Sequence, residues 1–142
     1  LLTDALIRSV QRQAGRVVSH EVAPAQPETF VRALAELLPT GTVQREDAAA
    51  WVAFGAAAST RPWLADPYWE ALQIMRTWVE GVLADARKAG RMRADLSPAE
   101  GARLVTALVN GLALDLLNAP PTESDEVIGQ LRSGLGLILR GL

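Results

Sequence analysis

The chain has 142 residues, room for one domain, and its 49% hydrophobic content can build and bury a core, which excludes a disordered segment. Its 14 basic and 16 acidic side chains leave a net charge of -2, and every basic residue except Lys88 is an arginine. Nucleic-acid modules carry a net-basic domain or stripe, so this stretch on its own is a poor DNA or RNA binder.

With no cysteine there is no disulfide frame, thiolate nucleophile or cysteine metal site, and the single histidine argues against a zinc cluster. No metal or other cofactor is expected. A reducing, cytoplasmic setting fits. The longest apolar stretch, Leu104 to Leu117, is interrupted by Thr106, Asn110 and Asp115 and is too short and polar to cross a membrane. No signal peptide precedes it. The chain opens on Leu1, and the first six residues read as helix interior, so it is expected to start partway through a larger protein.

Apolar residues recur at helical spacing from end to end, giving an all-α fold of about six helices with no sheet. The first helix runs from about Leu1 to Val22, with Leu2, Leu6, Val10, Ala14 and Val17 on one stripe. Arg8, Arg12, Arg16 and His20 form a second stripe, read as solvated, and Pro24 ends the helix. The second starts near Pro27 and carries Phe30, Val31, Leu34, Leu37 and Leu38 up to Pro39. The third spans about Val43 to Ser59, ahead of Arg61 and Pro62.

The fourth and longest helix is placed from about Pro67 to Ala89, with Tyr68, Leu72, Met75, Val79, Val82 and Ala86 inward and Gly90 as its left-handed C-terminal cap. The run from Ser97 to Glu100 is a capping box with proline at the first helical position. It opens a fifth helix from Pro98 to about Asn118. After Pro120 and Pro121, residues Thr122 to Asp125 start a last helix with Ile128, Leu131, Leu135, Ile138 and Leu142 inward. Gly134 and Gly136 weaken it, with close packing as the expected compensation.

Between Leu104 and Leu117 apolar side chains point in nearly every direction, so this helix needs neighbours on all sides. A small monomer has little interior to offer. The last two helices are therefore expected to build an intersubunit four-helix bundle in a homodimer, through Leu104, Leu108, Leu112, Leu116, Ile128, Leu131, Leu135 and Ile138. Completion of a monomeric core is the alternative.

The run from Ala89 to Leu104, AGRMRADLSPAEGARL, followed by Leu108-Val109-Asn110-Gly111-Leu112-Ala113, resembles the C-terminal regulatory domain of TetR-type transcriptional regulators. The opening Leu1 to Ile7 resembles the helix that leaves the family's DNA-binding domain. Asn110 stands where the family commonly has aspartate. The resemblance covers essentially the whole chain, residues 1–142, as one regulatory domain. It implies an antiparallel helical bundle that binds a small molecule between its central helices, dimerises through the last two, and controls an N-terminal helix-turn-helix. The implied role is that of a repressor, with operator DNA bound only through that absent reading head.

Four tryptophans are concentrated between positions 51 and 78. Trp51, Phe54, Trp69, Met75 and Trp78 are candidates for the walls of a pocket for an apolar or amphipathic ligand, because rigid rings give contact area at little ordering cost. Ordinary core packing is the competing reading for Trp51, Phe54 and Met75. Thr106 and Asn110 share one face of an apolar helix; once buried, they need partners from a ligand, another helix or a second subunit. Nothing pairs a nucleophile with a base, spaces metal ligands or builds a phosphate loop, so an enzyme is not expected. A helical dimer serving as a scaffold, with its aromatics buried for stability alone, is the alternative function.

Overall fold

In the computed structural model, residues 2–121 and 123–142 are described, with the side chain of Leu2 left aside. The expectations for Leu1, the Leu2 side chain and Thr122 lie outside the described residues. Among the described residues six helices follow one another: α1 (Leu2–Ser19), α2 (Pro27–Ala35), α3 (Thr42–Ala58), α4 (Pro62–Lys88), α5 (Pro98–Asn118) and α6 (Ser124–Leu135).

Helix α5 has the bounds its capping signal dictates. Ser97 Oγ accepts from the Glu100 backbone N–H at 3.1 Å, and Pro98 occupies the first turn, where a missing N–H costs nothing. Gly90 takes the left-handed conformation, φ 73°, just past α4.

Four boundaries differ from the sequence reading, and proline chemistry bears on two. Helix α1 closes at Ser19, three residues short of Val22, where His20 N–H turns onto Val17 C=O at 3.2 Å. Leu38 precedes Pro39, and α2 gives way after Ala35 to a tighter turn with Leu38 N–H on Ala35 C=O at 3.1 Å. Helix α4 starts at Pro62, not Pro67. Pro62 takes the start position, and Pro67 sits within the helix at the cost of one intrahelical bond.

The fourth difference is at the C-terminus. Helix α6 stops at Leu135, and the chain turns back so that Met92 and Leu139 form an isolated antiparallel bridge. Arg140 N–H reaches Arg91 C=O at 2.7 Å and Arg93 N–H reaches Ile138 C=O at 3.0 Å. These bonds tie the loop after α4 to the end of the chain.

The core has two parts. The larger joins α2, α5, α6 and the C-terminal half of α4 around Phe30, Leu34, Leu83, Val105, Leu131 and Leu135. The smaller joins α1, α3 and the N-terminal half of α4 around Leu6, Trp51, Phe54, Leu64 and Leu72.

The arginine row of α1 is not simply solvated. Arg12 and Arg16 converge on Asp47 of α3, at 2.9 and 2.8 Å, and Ser9 Oγ donates to the same carboxylate at 2.8 Å. Asp47 is 2% exposed. Arg16 also lies 3.6 Å from Glu36, which bonds His20 Nε2 at 2.8 Å. A buried carboxylate is tolerated only with such partners, and here they fix α1 against α2 and α3.

The expected dimer stripe is only partly available. Leu116, Leu131, Leu135 and Ile138 are buried within the chain's own core and present no face to a second copy. Leu108, Leu112 and Ile128 are half-buried, and Leu104 is exposed. The reason is angular. The open side of α5 follows Leu104, Ala107, Gly111 and Leu114 at spacings of three and four, displaced from the 104, 108, 112, 116 row.

Candidate functional site

A cavity of about 490 Å³, open to solvent beside Ile7, Val18 and Ile74, lies where the two core clusters meet. Helix α1 supplies Ile7, Val10, Gln13, Ala14, Val17 and Val18; Leu34 and Leu37 come from α2 and the turn after it. Helix α3 supplies Trp51 and Phe54, and α4 supplies Pro67, Ala71, Ile74, Met75 and Trp78. This volume lies in the range of small-molecule sites.

The ring arrangement sets the rigidity of one wall. Trp51 stacks on Tyr68 with centroids 4.6 Å apart, and Phe54 meets Tyr68 edge-on at 5.4 Å and Trp51 at 6.1 Å. A Cβ at Gly55 would stand 3.1 Å from the Tyr68 ring, so glycine there lets α3 and α4 approach. Burial pushes the Tyr68 hydroxyl pKa up, partly offset by the Arg76 charge. Trp78 packs against Phe30 at 5.8 Å, linking the opposite wall to the larger core.

Polar groups are few. Gln11, Gln13 and Glu70 are the polar side chains of the lining, and no lysine or arginine is among them. The site can therefore hold an apolar or amphipathic molecule and offers an anion no countercharge. Among the described residues, no three of His, Cys, Asp and Glu come together as metal ligands.

Of the seven residues singled out from sequence, Trp51, Phe54, Met75 and Trp78 line the cavity. Trp69 does not. It is 55% exposed, and Arg76, two helical turns on and on the same face, places its guanidinium 5.4 Å from the ring centroid. Thr106 is fully buried away from the cavity, donating to Ala102 C=O at 3.0 Å and accepting from Arg76 Nε at 3.3 Å. Asn110 lies behind the wall, where its Oδ1 accepts from Trp51 Nε1 at 2.9 Å.

Sequence reasoning missed the contribution of α1. Its visible signal was the extra width of that helix's apolar face: Ile7 and Val18 flank the Leu6, Val10, Val17 stripe, and both reach the cavity.

The profile of the BetI-type transcriptional repressor C-terminal domain matches residues 26–140. No curated protein matches. Among solved structures, a transcriptional regulator from Rhodococcus sp. Rha1 is 27% identical, with a TM-score of 0.81 over 99% of this chain and 74% of that one. A putative TetR-family regulator from Rhodococcus sp. shares the fold at 19% identity and TM-score 0.83, over 97% of this chain and 73% of that one. A putative transcriptional regulator from Saccharomonospora viridis, solved in complex with choline, does so at 24% identity and TM-score 0.82, over 99% and 74%. The chain thus belongs to the BetI-type repressor C-terminal family and is a regulatory domain of the TetR type, a class of sensors and not of enzymes.

Proposed function

We propose that residues 1–142 form the sensing and pairing domain of a cytoplasmic, homodimeric transcriptional repressor. A small amphipathic molecule enters the cavity and lowers the operator affinity of a helix-turn-helix domain in the intact regulator. The observation that carries this reading is the cavity of about 490 Å³ at the junction of the two core clusters. A scaffold module has no use for an apolar recess that reaches Leu34 and Phe54, each 1% exposed. The Saccharomonospora viridis relative was solved with choline. An amphipathic ligand of that size range suits a wall of rings with no basic side chain.

The route to the DNA is α1, which both lines the cavity and is fastened to α3 through Asp47. Ligand must bind one helix arrangement more tightly than the other, and a hundredfold preference supplies about 2.7 kcal/mol. Pairing uses the open side of α5, Leu104, Ala107, Gly111 and Leu114, with Leu137 beside α6; Leu104, Leu114 and Leu137 are 51, 48 and 70% exposed. No helix among the described residues is long and apolar enough to cross a membrane.

The test is a thermal-shift screen of amphipathic and cationic metabolites, followed by titration of each stabilising compound into the intact regulator with and without operator DNA. Weaker binding in the presence of operator supports the reading, because coupling is reciprocal. Equal binding contradicts it.

A further inference from the structure

Gln13 stands apart from the other polar residues on its helix. Ser9, Arg12 and Arg16 all hold Asp47. Gln13 lies on the adjoining face of α1, is 4% exposed and lines the cavity. Its amide makes no hydrogen bond with any described residue, and its polar atoms are not fully sealed from solvent. The amide therefore opens onto the cavity itself.

A primary amide carries two N–H donors and a carbonyl acceptor, and a buried one is normally satisfied. The remaining polar lining residues, Gln11 and Glu70, are exposed, so Gln13 is the polar group of the cavity's inner wall. We propose that Gln13 is the specificity-determining residue of this site, hydrogen-bonding one uncharged polar group, a hydroxyl, carbonyl or amide, on a ligand whose body packs against Trp51 and Trp78. This rests on the sensing role assigned to the cavity. It gives α1, the helix held to Asp47, direct contact with the ligand's polar group.

The matched probes are 1-naphthalenemethanol and 1-methylnaphthalene, which share a ring system and differ by one hydroxyl. Calorimetric titration into the chain is expected to show the alcohol binding about tenfold more tightly, the scale of one good hydrogen bond. Gln13→Met, close in shape but without the amide, is expected to abolish that preference while retaining the hydrocarbon's affinity. Gln13→Leu serves the same purpose if the Met variant folds poorly. In the free protein either variant is expected to melt at or above the temperature of the parent chain, since no protein partner is lost. A marked drop in melting temperature would instead assign Gln13 a structural role and overturn the inference. Equal binding of the two probes overturns it and leaves the cavity's sensing role standing. Binding of neither probe overturns it together with that role.

Discussion

The indole N–H of Trp51 donates to Asn110 Oδ1 at 2.9 Å, joining a cavity-wall ring on α3 to α5. The bond fixes which way the indole lies, and the 4.6 Å stack on Tyr68 holds its plane. Asn110→Ala leaves a buried donor unpaired and is expected to cost about 1–2 kcal/mol in denaturant unfolding. Probe affinity is expected to fall as well, because the wall loses its fixed geometry. Trp51→Phe removes the donor and leaves the half-buried Asn110 carbonyl to bond solvent, so loss of this hydrogen bond is expected to cost less from that side.

Asp47 and Glu36 both contribute to the acid limb of stability. Burial pushes its carboxyl up, but hydrogen bonds from Arg12, Arg16 and Ser9 prevail and hold it below the ordinary 3.8. Glu36 is pushed up by burial and held below the ordinary 4.5 by His20 and Gln44, with the Arg16 charge assisting. A carboxyl lowered in the folded state contributes stability that is complete above its unfolded pKa and lost as pH falls through the folded one. Unfolding free energy is therefore expected to drop below about pH 4.5, the ordinary glutamate value. Asp47→Asn is expected to cost about 2–3 kcal/mol at neutral pH, discounted because Arg12 remains largely hydrated, and to flatten that acid limb. Urea unfolding across pH 3 to 7 tests both.

Trp69 and Trp78 separate surface from site. Trp78→Ala is expected to weaken probe binding at least tenfold and to cost about 3 kcal/mol of stability, since its ring also packs on Phe30. Trp69→Ala removes an exposed ring paired with Arg76 and is expected to leave probe affinity unchanged, with a stability loss of about 0.5–1 kcal/mol. Calorimetry with each variant is the check.

Two glycines carry unequal constraints. A Cβ at Gly101 would sit 2.7 Å from Leu83 Cδ1 and 3.1 Å from Met92 Cε, both in the packed core. One at Gly134 would meet Leu108 at 2.6 Å, but Leu108 is half-buried and can turn outward. Gly101→Ala is thus expected to destabilise by about 1–2 kcal/mol, overpacking outweighing the helix-propensity gain, whereas Gly134→Ala is expected to be near neutral. Thermal melts of the two variants give the order.

Local rules were readable in the sequence wherever the signal was local. The Ser97 capping box placed α5, and Gly90 placed the end of α4. Pro67 misled because two prolines competed for one start, and only packing of Leu64 into the smaller core chooses Pro62. Leu116, Leu131 and Leu135 have the same apolar character whether they face their own core or a second copy, so the pattern could not assign them. Asp47 and the α1 arginines are more than thirty residues apart, and nothing in a one-dimensional pattern pairs them. The cavity followed the same division. Its aromatic walls were legible as a cluster of rings, while the α1 wall and Gln13 depended on how that helix was docked.

Occupancy of the cavity between α1, α3 and α4 by a small amphipath is directly observable. The four tryptophans give four indole N–H signals in a nitrogen-edited proton NMR spectrum, and two of them belong to lining residues. On titration with 1-naphthalenemethanol, the signals of Trp51 and Trp78 are expected to shift saturably while those of Trp63 and Trp69, both exposed, stay in place. Shifts confined to Trp63 and Trp69, or no shift at all, would show that the cavity does not take this ligand.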